Sequence, residues 1–238
     1  MSQDESQSLS ETRELVLWGR SLDEYIAMFG LSDDDLKRRI LGVADGPADF
    51  NREATARGAT VVSIDPIYHL APEVIDRQIE KASEIVRRHV EETRDDFVWD
   101  RFRSPEELTA VRIDTMRRFL ADFPKGLAER RYRPGGLPKL DLPDGQFDLA
   151  LCSHFLFLYS TAFDLDFHLR SIRELLRVAT EVRIFPLLNL VGERSEHLDP
   201  VIETITAEGF CAEIHKVDYE FQKGGNEMLV VGHESTKR

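Results

Sequence analysis

Two carboxylates, Asp45 and Asp65, carry the chemistry most easily read from this chain. Asp45 stands in a turn of small residues, Ala44-Asp45-Gly46-Pro47-Ala48, directly after an apolar run of Ile40, Leu41 and Val43. Asp65 ends a second apolar run, Val61, Val62 and Ile64. Between them, Asp49 to Arg57 reads as a helix and Gly58 closes it. The pattern is strand, tight turn, helix, strand, with an acid where the second strand stops. Small residues at the mouth of a helix let a ligand come close to the backbone. A carboxylate about 20 residues further on accepts hydrogen bonds from ribose hydroxyls, so the pair fits a nucleotide-type cofactor.

The elements that must hold these groups follow from periodicity. Ser21-Leu22-Asp23-Glu24 is a capping box, and it opens a helix over Leu22 to Phe29 that Gly30 ends. That helix carries Tyr25, read either as core or as a lid over a cleft. A long helix is predicted from about Pro72 to Glu92. A second starts at Ser104-Pro105 and stops before Pro124 and Gly126. Phe147 to Cys152 is a buried strand, Asp164 to Val178 an amphipathic helix, Glu181 to Phe185 a strand and Asp199 to Glu208 a helix. Cys211 to Phe221 and Glu227 to Val231 close the chain as two strands, with Lys223-Gly224-Gly225-Asn226 as the turn of a hairpin. Strands alternating with helices imply a mostly parallel sheet covered on both faces. The closing hairpin must be antiparallel.

At 238 residues and 42% hydrophobic content the chain suits one α/β domain with a real core. We expect a flexible N-terminal tail over 1–20 and a single domain over 21–238, with a helical insertion over about 72–124 that covers the cleft. The 44 acids against 31 bases give a net charge of −13, which argues against free nucleic acid as a partner. The segment from Asp100 to Lys139 reverses this balance, with ten Lys and Arg against six acids. It reads as a helix of mixed surface charge or, around Arg117 and Arg118, as a patch for an anionic substrate. Cys152 and Cys211 read as buried small hydrophobes without a CxxC spacing. The polar, acidic start MSQDESQSLSETRE has no signal-peptide pattern, and no apolar run reaches membrane-spanning length, so a cytoplasmic protein is expected. The histidines show no metal-ligand spacing.

The order of elements, and the letters Leu41-Gly42-Val43-Ala44-Asp45-Gly46-Pro47-Ala48, resemble the class I S-adenosylmethionine-dependent methyltransferases from about Ser21 to Val231. The fold implied is α/β and doubly wound (Rossmann-like), a mostly parallel seven-stranded sheet with an antiparallel C-terminal hairpin. That family's first motif reads LDxGxGxG. Gly46 stands in place, Gly42 replaces the acid, and Ala44 and Ala48 replace glycines. The resemblance implies S-adenosylmethionine as cofactor, with Asp65 on its ribose, Pro66 and Tyr68 flanking the adenine, and Ala44, Gly46 and Pro47 along its backbone cradle. Asp45 either shapes the turn and caps the next helix or approaches the cofactor's amino-acid end. The family's fourth strand matches FDLALCSHFLF, which puts Ser153 and His154 at a strand's carboxyl end, where open α/β sheets bind ligands. Ser153 is a loop residue or a cofactor contact. His154 is a structural histidine or a general base toward an acceptor hydroxyl or amine. The function implied is methyl transfer to a small-molecule acceptor, with a catalytically silent binding module as the alternative. A nicotinamide-dependent oxidoreductase fits less well, because GxGxxG is missing and the hairpin is present.

Overall fold

The computed structural model describes residues 17–233, apart from the side chains at 83–86 and 89. One seven-stranded sheet runs through the molecule in the order β3-β2-β1-β4-β5-β7-β6. Its strands are β1 (Arg39–Val43), β2 (Thr60–Ile64), β3 (Tyr132–Arg133), β4 (Phe147–Ser153), β5 (Ala179–Phe185), β6 (Cys211–Lys216) and β7 (Glu227–Gly232). β1 to β5 pair in parallel, while β7 runs antiparallel to both β5 and β6. This is the sheet that the class I resemblance implied, a Rossmann-like methyltransferase fold with its closing pair reversed.

The central strands are apolar because both their faces are covered. Leu41 and Val43 pack with α5 (Leu165–Val178) and α6 (Leu198–Ala207) on one face. Ile40, one residue out of step, packs on the other with α1 (Leu22–Phe29) and α2 (Phe50–Ala56). The register then sets the site. Val43 of β1 lies beside Ile64 of β2 on one side and Cys152 of β4 on the other. The three strands therefore end level, and Ala44, Asp65 and Ser153 emerge side by side at the point where strand order reverses.

Three local expectations differ. The helix after Ser104, α4 (Pro105–Ala128), continues through Pro124. Proline forfeits one backbone hydrogen bond, but Phe119 and Phe123 just before it pack against Tyr68 and Tyr132 and hold this end of the helix in place. α3 (Pro72–Glu92) packs beside it. Strand β6 stops at Lys216 rather than Phe221, so residues 217–226 leave the sheet as a loop instead of a tight turn. Tyr219 donates to Glu24 of α1, and Phe221 is buried among Trp18, Phe97, Trp99 and Phe102. Of the expected tail, residues 1–16 lie outside the described residues, whereas Leu17 is packed against the α3–α4 pair. Cys152 is buried as expected and Cys211 only half-buried. Among the described residues no helix is long and apolar enough to cross a membrane, and no group of His, Cys, Asp or Glu could hold a metal ion.

Candidate functional site

A cavity of about 590 Å³ opens at the carboxyl ends of β1, β2 and β4. That volume suits a cofactor-sized ligand. Tyr25, Ala44, Asp45, Gly46, Pro47, Asp65, Pro66, Ser153 and His154 all line it. Tyr68 does not. Its ring turns into the aromatic cluster of Phe119, Phe123 and Tyr132, away from any adenine, and its hydroxyl donates to the Gly46 carbonyl at 2.7 Å. The reason is local. Asp65 accepts from the Ile67 amide at 2.9 Å and starts a short helical turn over Pro66–His69, which swings residue 68 behind the wall.

Asp65 also accepts from the Gly46 amide at 2.8 Å. Both polar groups of the Gly46 backbone are thus held by the segment after β2, so the turn is fixed before any ligand arrives. Burial pushes the Asp65 carboxyl up to about 6, against the two amides that favour its charge.

Asp45 does not cap α2. Its carboxylate folds back over β1, accepting from the Tyr25 hydroxyl at 2.7 Å and from the Ser63 hydroxyl at 2.6 Å. Tyr25 is itself stacked on Phe50 at 4.2 Å, so it is a core residue and a cavity residue at once. Burial is the main force pushing Asp45 up to about 7; the two hydroxyls oppose it and neighbouring Asp65 adds to it. A Cβ on Gly42 would lie 1.9 Å from Asp45 Oδ2. The family's acid is missing at 42, and a carboxylate reached from 45 occupies that space. Gly42→Ala should therefore cost roughly 1–2 kcal/mol by overpacking. The exchange Gly42→Asp with Asp45→Gly should lie closer to wild type, as read by the thermal midpoints of the two variants and the wild type.

Ala44 and His154 both adopt left-handed backbone, with φ of 59° and 52°. Neither is a glycine, and strain of this kind clusters at ligand sites. The His154 amide donates to the Phe185 carbonyl at 2.6 Å, which ties the end of β4 to the end of β5. Its Nδ1 lies 3.0 Å from Ser153 Oγ. Burial, with Arg20 and Arg112 adding to it, holds the imidazole well below its ordinary range, so it is neutral at neutral pH.

Several cavity residues were not singled out from the sequence. Gly19 passes so close to the turn that a Cβ there would lie 2.4 Å from the Pro47 carbonyl oxygen, and the Arg20 carbonyl accepts from the Asp49 amide at 3.0 Å. These contacts lay Trp18 and Arg20 along the cavity wall, with Tyr159, Tyr219 and Phe221. Their signal was faint: a Trp-Gly-Arg step just ahead of a capping box, and aromatics crowding the end of an expected strand. Arg117 and Arg118 are exposed on α4, Arg118 pairs with Asp114, and neither lines the cavity.

No protein-family model matches the chain. Among solved structures the chain is similar to a SAM-dependent methyltransferase from Aquifex aeolicus, at 15% identity over 97% of each chain with a TM-score of 0.40. It is also similar to the mitomycin 7-O-methyltransferase MmcR, at 13% identity over 89% of this chain and 53% of that one, with a TM-score of 0.48. In sequence it is 37% identical to the uncharacterized protein MJ0045 of Methanocaldococcus jannaschii over 220 residues, 92% of this chain and 96% of the relative. The chain belongs to the family of MJ0045 and carries the Rossmann-like fold of the class I methyltransferases.

Proposed function

We propose that the protein binds S-adenosylmethionine and directs its methyl group to a small-molecule acceptor. The observation that carries this reading is the cavity at the switch point of the sheet, with Asp65 at the end of β2 and the exposed backbone of Ala44 to Pro47 at the end of β1. The residues fit the group. Asp65 keeps lone pairs for ribose hydroxyls beyond the two amides it already accepts from, and Asp45 suits the ammonium of the amino-acid end. Pro66 and Leu137 offer apolar surface for the base. When bound, S-adenosylmethionine supplies a methyl group already activated on a sulfonium, so the chain needs mainly to hold an acceptor in line. His154, neutral and at the cavity wall, takes the acceptor's proton where the acceptor is a hydroxyl or an amine.

Calorimetry with S-adenosylhomocysteine tests the reading, and its pH dependence tests the site. Asp45 and Asp65 titrate near 7 and 6 in the free protein, above their unfolded values. Raised carboxyl pKa values stabilise the ligand-free fold below about pH 4, and that stability is lost as pH rises through 6 and 7. The ammonium of the ligand's amino-acid end favours ionised Asp45, and its ribose hydroxyls favour ionised Asp65. Binding should therefore tighten between about pH 5.5 and 8 and release protons, seen as a dependence of the binding heat on the buffer's ionisation enthalpy. No binding at millimolar ligand would sink the methyl-transfer reading. Binding that ignores pH would remove Asp45 and Asp65 from the site.

A further inference from the structure

We propose that the methyl acceptor is a flat molecule bearing a carboxylate or a comparable oxyanion, which Arg20 holds against an aromatic wall. The proposal rests on the methyl-transfer reading and names the substrate class of the same cavity.

Away from the Ala44–Pro47 turn the cavity is walled by Trp18, Phe97, Tyr159, Phe185, Tyr219 and Phe221. Phe97 stacks on Phe221 at 4.5 Å, and Phe185 meets Tyr219 edge-on at 5.7 Å. Rings so packed present an aromatic surface against which a flat apolar body can lie. Within this wall stands one cation. Arg20 Nη1 donates to the Trp18 carbonyl at 3.1 Å, and its guanidinium lies 5.9 Å from the Trp18 ring centre. Its Nε is buried without a hydrogen-bond partner, and so is Trp18 Nε1. Arg20 forms no ion pair with a described residue. Neighbouring Arg112 does, with Glu24, so the one nearby carboxylate is already taken. Arg88 and Glu92 also line the cavity, but both are exposed on α3.

A half-buried guanidinium with no carboxylate in contact is costly. Burial and the adjacent Arg112 work against its charge, and Glu24, which favours it, is already gripped by Arg112. An oxyanion entering the cavity relieves that cost and meets a planar fork suited to bidentate contact. The backbone bonds that fix residues 19 and 20 on the turn make this position rigid. The charge of Arg20 acts on Tyr159, Tyr219 and His154, which line the cavity with it, and also on Tyr25 beside Asp45. The anion is assigned to the acceptor, and S-adenosylhomocysteine binding by the Arg20 variants separates it from the cofactor's own carboxylate.

The test is calorimetry on the full chain saturated with S-adenosylhomocysteine, titrated with benzoate, 4-hydroxybenzoate and phenyl phosphate. Benzamide and 4-hydroxybenzamide serve as neutral counterparts. At least one acid should bind about tenfold or more tightly than its neutral counterpart. Arg20→Met should erase that preference, Arg20→Lys should retain part of it, and both variants should bind S-adenosylhomocysteine within about threefold of the wild type. The proposal is overturned if no acid binds at about 10 mM, if acids and amides bind alike, or if the preference survives in Arg20→Met. Loss of S-adenosylhomocysteine binding in Arg20→Met assigns the residue to the cofactor's own carboxylate and overturns it too. A wild type that binds no S-adenosylhomocysteine defeats the methyl-transfer reading alone. The acids are then titrated without it, and the Arg20 variants still decide the anion site.

Discussion

Arg112→Leu should destabilise the protein by about 3–5 kcal/mol, measured by urea or thermal unfolding. Arg112 is buried on α4 and grips both oxygens of Glu24, at 2.5 and 2.6 Å. It also donates to the Gly19 carbonyl at 3.1 Å and lies over the rings of Phe102 and Trp18. Glu24 simultaneously caps α1 through the Ser21 amide at 3.1 Å and accepts from the Tyr219 hydroxyl at 3.1 Å. One carboxylate therefore joins α1, α4 and the loop before β7. Removing Arg112 leaves it buried and unpaired, so the loss exceeds what the pair contributes when intact. Glu24→Gln on top of Arg112→Leu should recover part of the loss, because a neutral amide costs less to bury. Burial works to raise the Glu24 carboxyl, yet Arg112 overrides it and holds the group at about 2. This share of stability is present above pH 4.5 and disappears as pH falls toward 2. In Arg112→Leu the same acid limb should shift to higher pH. An unfolding free energy within about 1 kcal/mol of wild type would show the pair to be ornamental.

Asp65→Ala should weaken S-adenosylhomocysteine binding by about 1–3 kcal/mol, roughly 5- to 150-fold in Kd. The effect has two parts. The carboxylate is lost to the ribose, and the Gly46 and Ile67 amides lose their acceptor. Asp65→Asn removes less. Its single amide oxygen can keep one of the two backbone N–H bonds, while the other amide, bound to the second carboxylate oxygen in the wild type, loses its acceptor, and the charge-assisted bonds to the ligand weaken. Asn should fall between wild type and Ala in both affinity and thermal midpoint. Equal affinity in all three would mean that the ribose lies elsewhere.

The framework of this fold was open to reading because its strands are written in apolar runs. Ile40 to Val43, Val61 to Ile64 and Phe147 to Cys152 each became a strand, and the acids and small residues at their ends reached the cavity. Direction was harder to read than position. Asp65 turns the chain immediately after itself, so Tyr68, three residues on, faces the opposite way. Arg20 and Tyr219 were passed over because each lies just outside an element, and residues far apart in the chain meet there only when the sheet is assembled. Pro124 misled for the reverse reason. A local rule about proline gave way to four packed aromatic rings. Arg117 and Arg118 stood out by charge alone, and charge without burial marks a solvated face.

The carboxylate that Asp45 lends to the space above Gly42 makes two letters of the sequence interdependent. An acid at 42 beside Asp45 would place two acids in one site, and a lone change at 45 would leave the site with none. Relatives should therefore vary at these positions together or not at all, either as Gly with an acid three places on or as an acid with a small residue there. A search keyed to an acid at the end of the first strand would pass over every chain of the first type, this one included. Aligning sequences on both positions jointly would recover them and would sort the family into two lineages by where the same negative charge is attached.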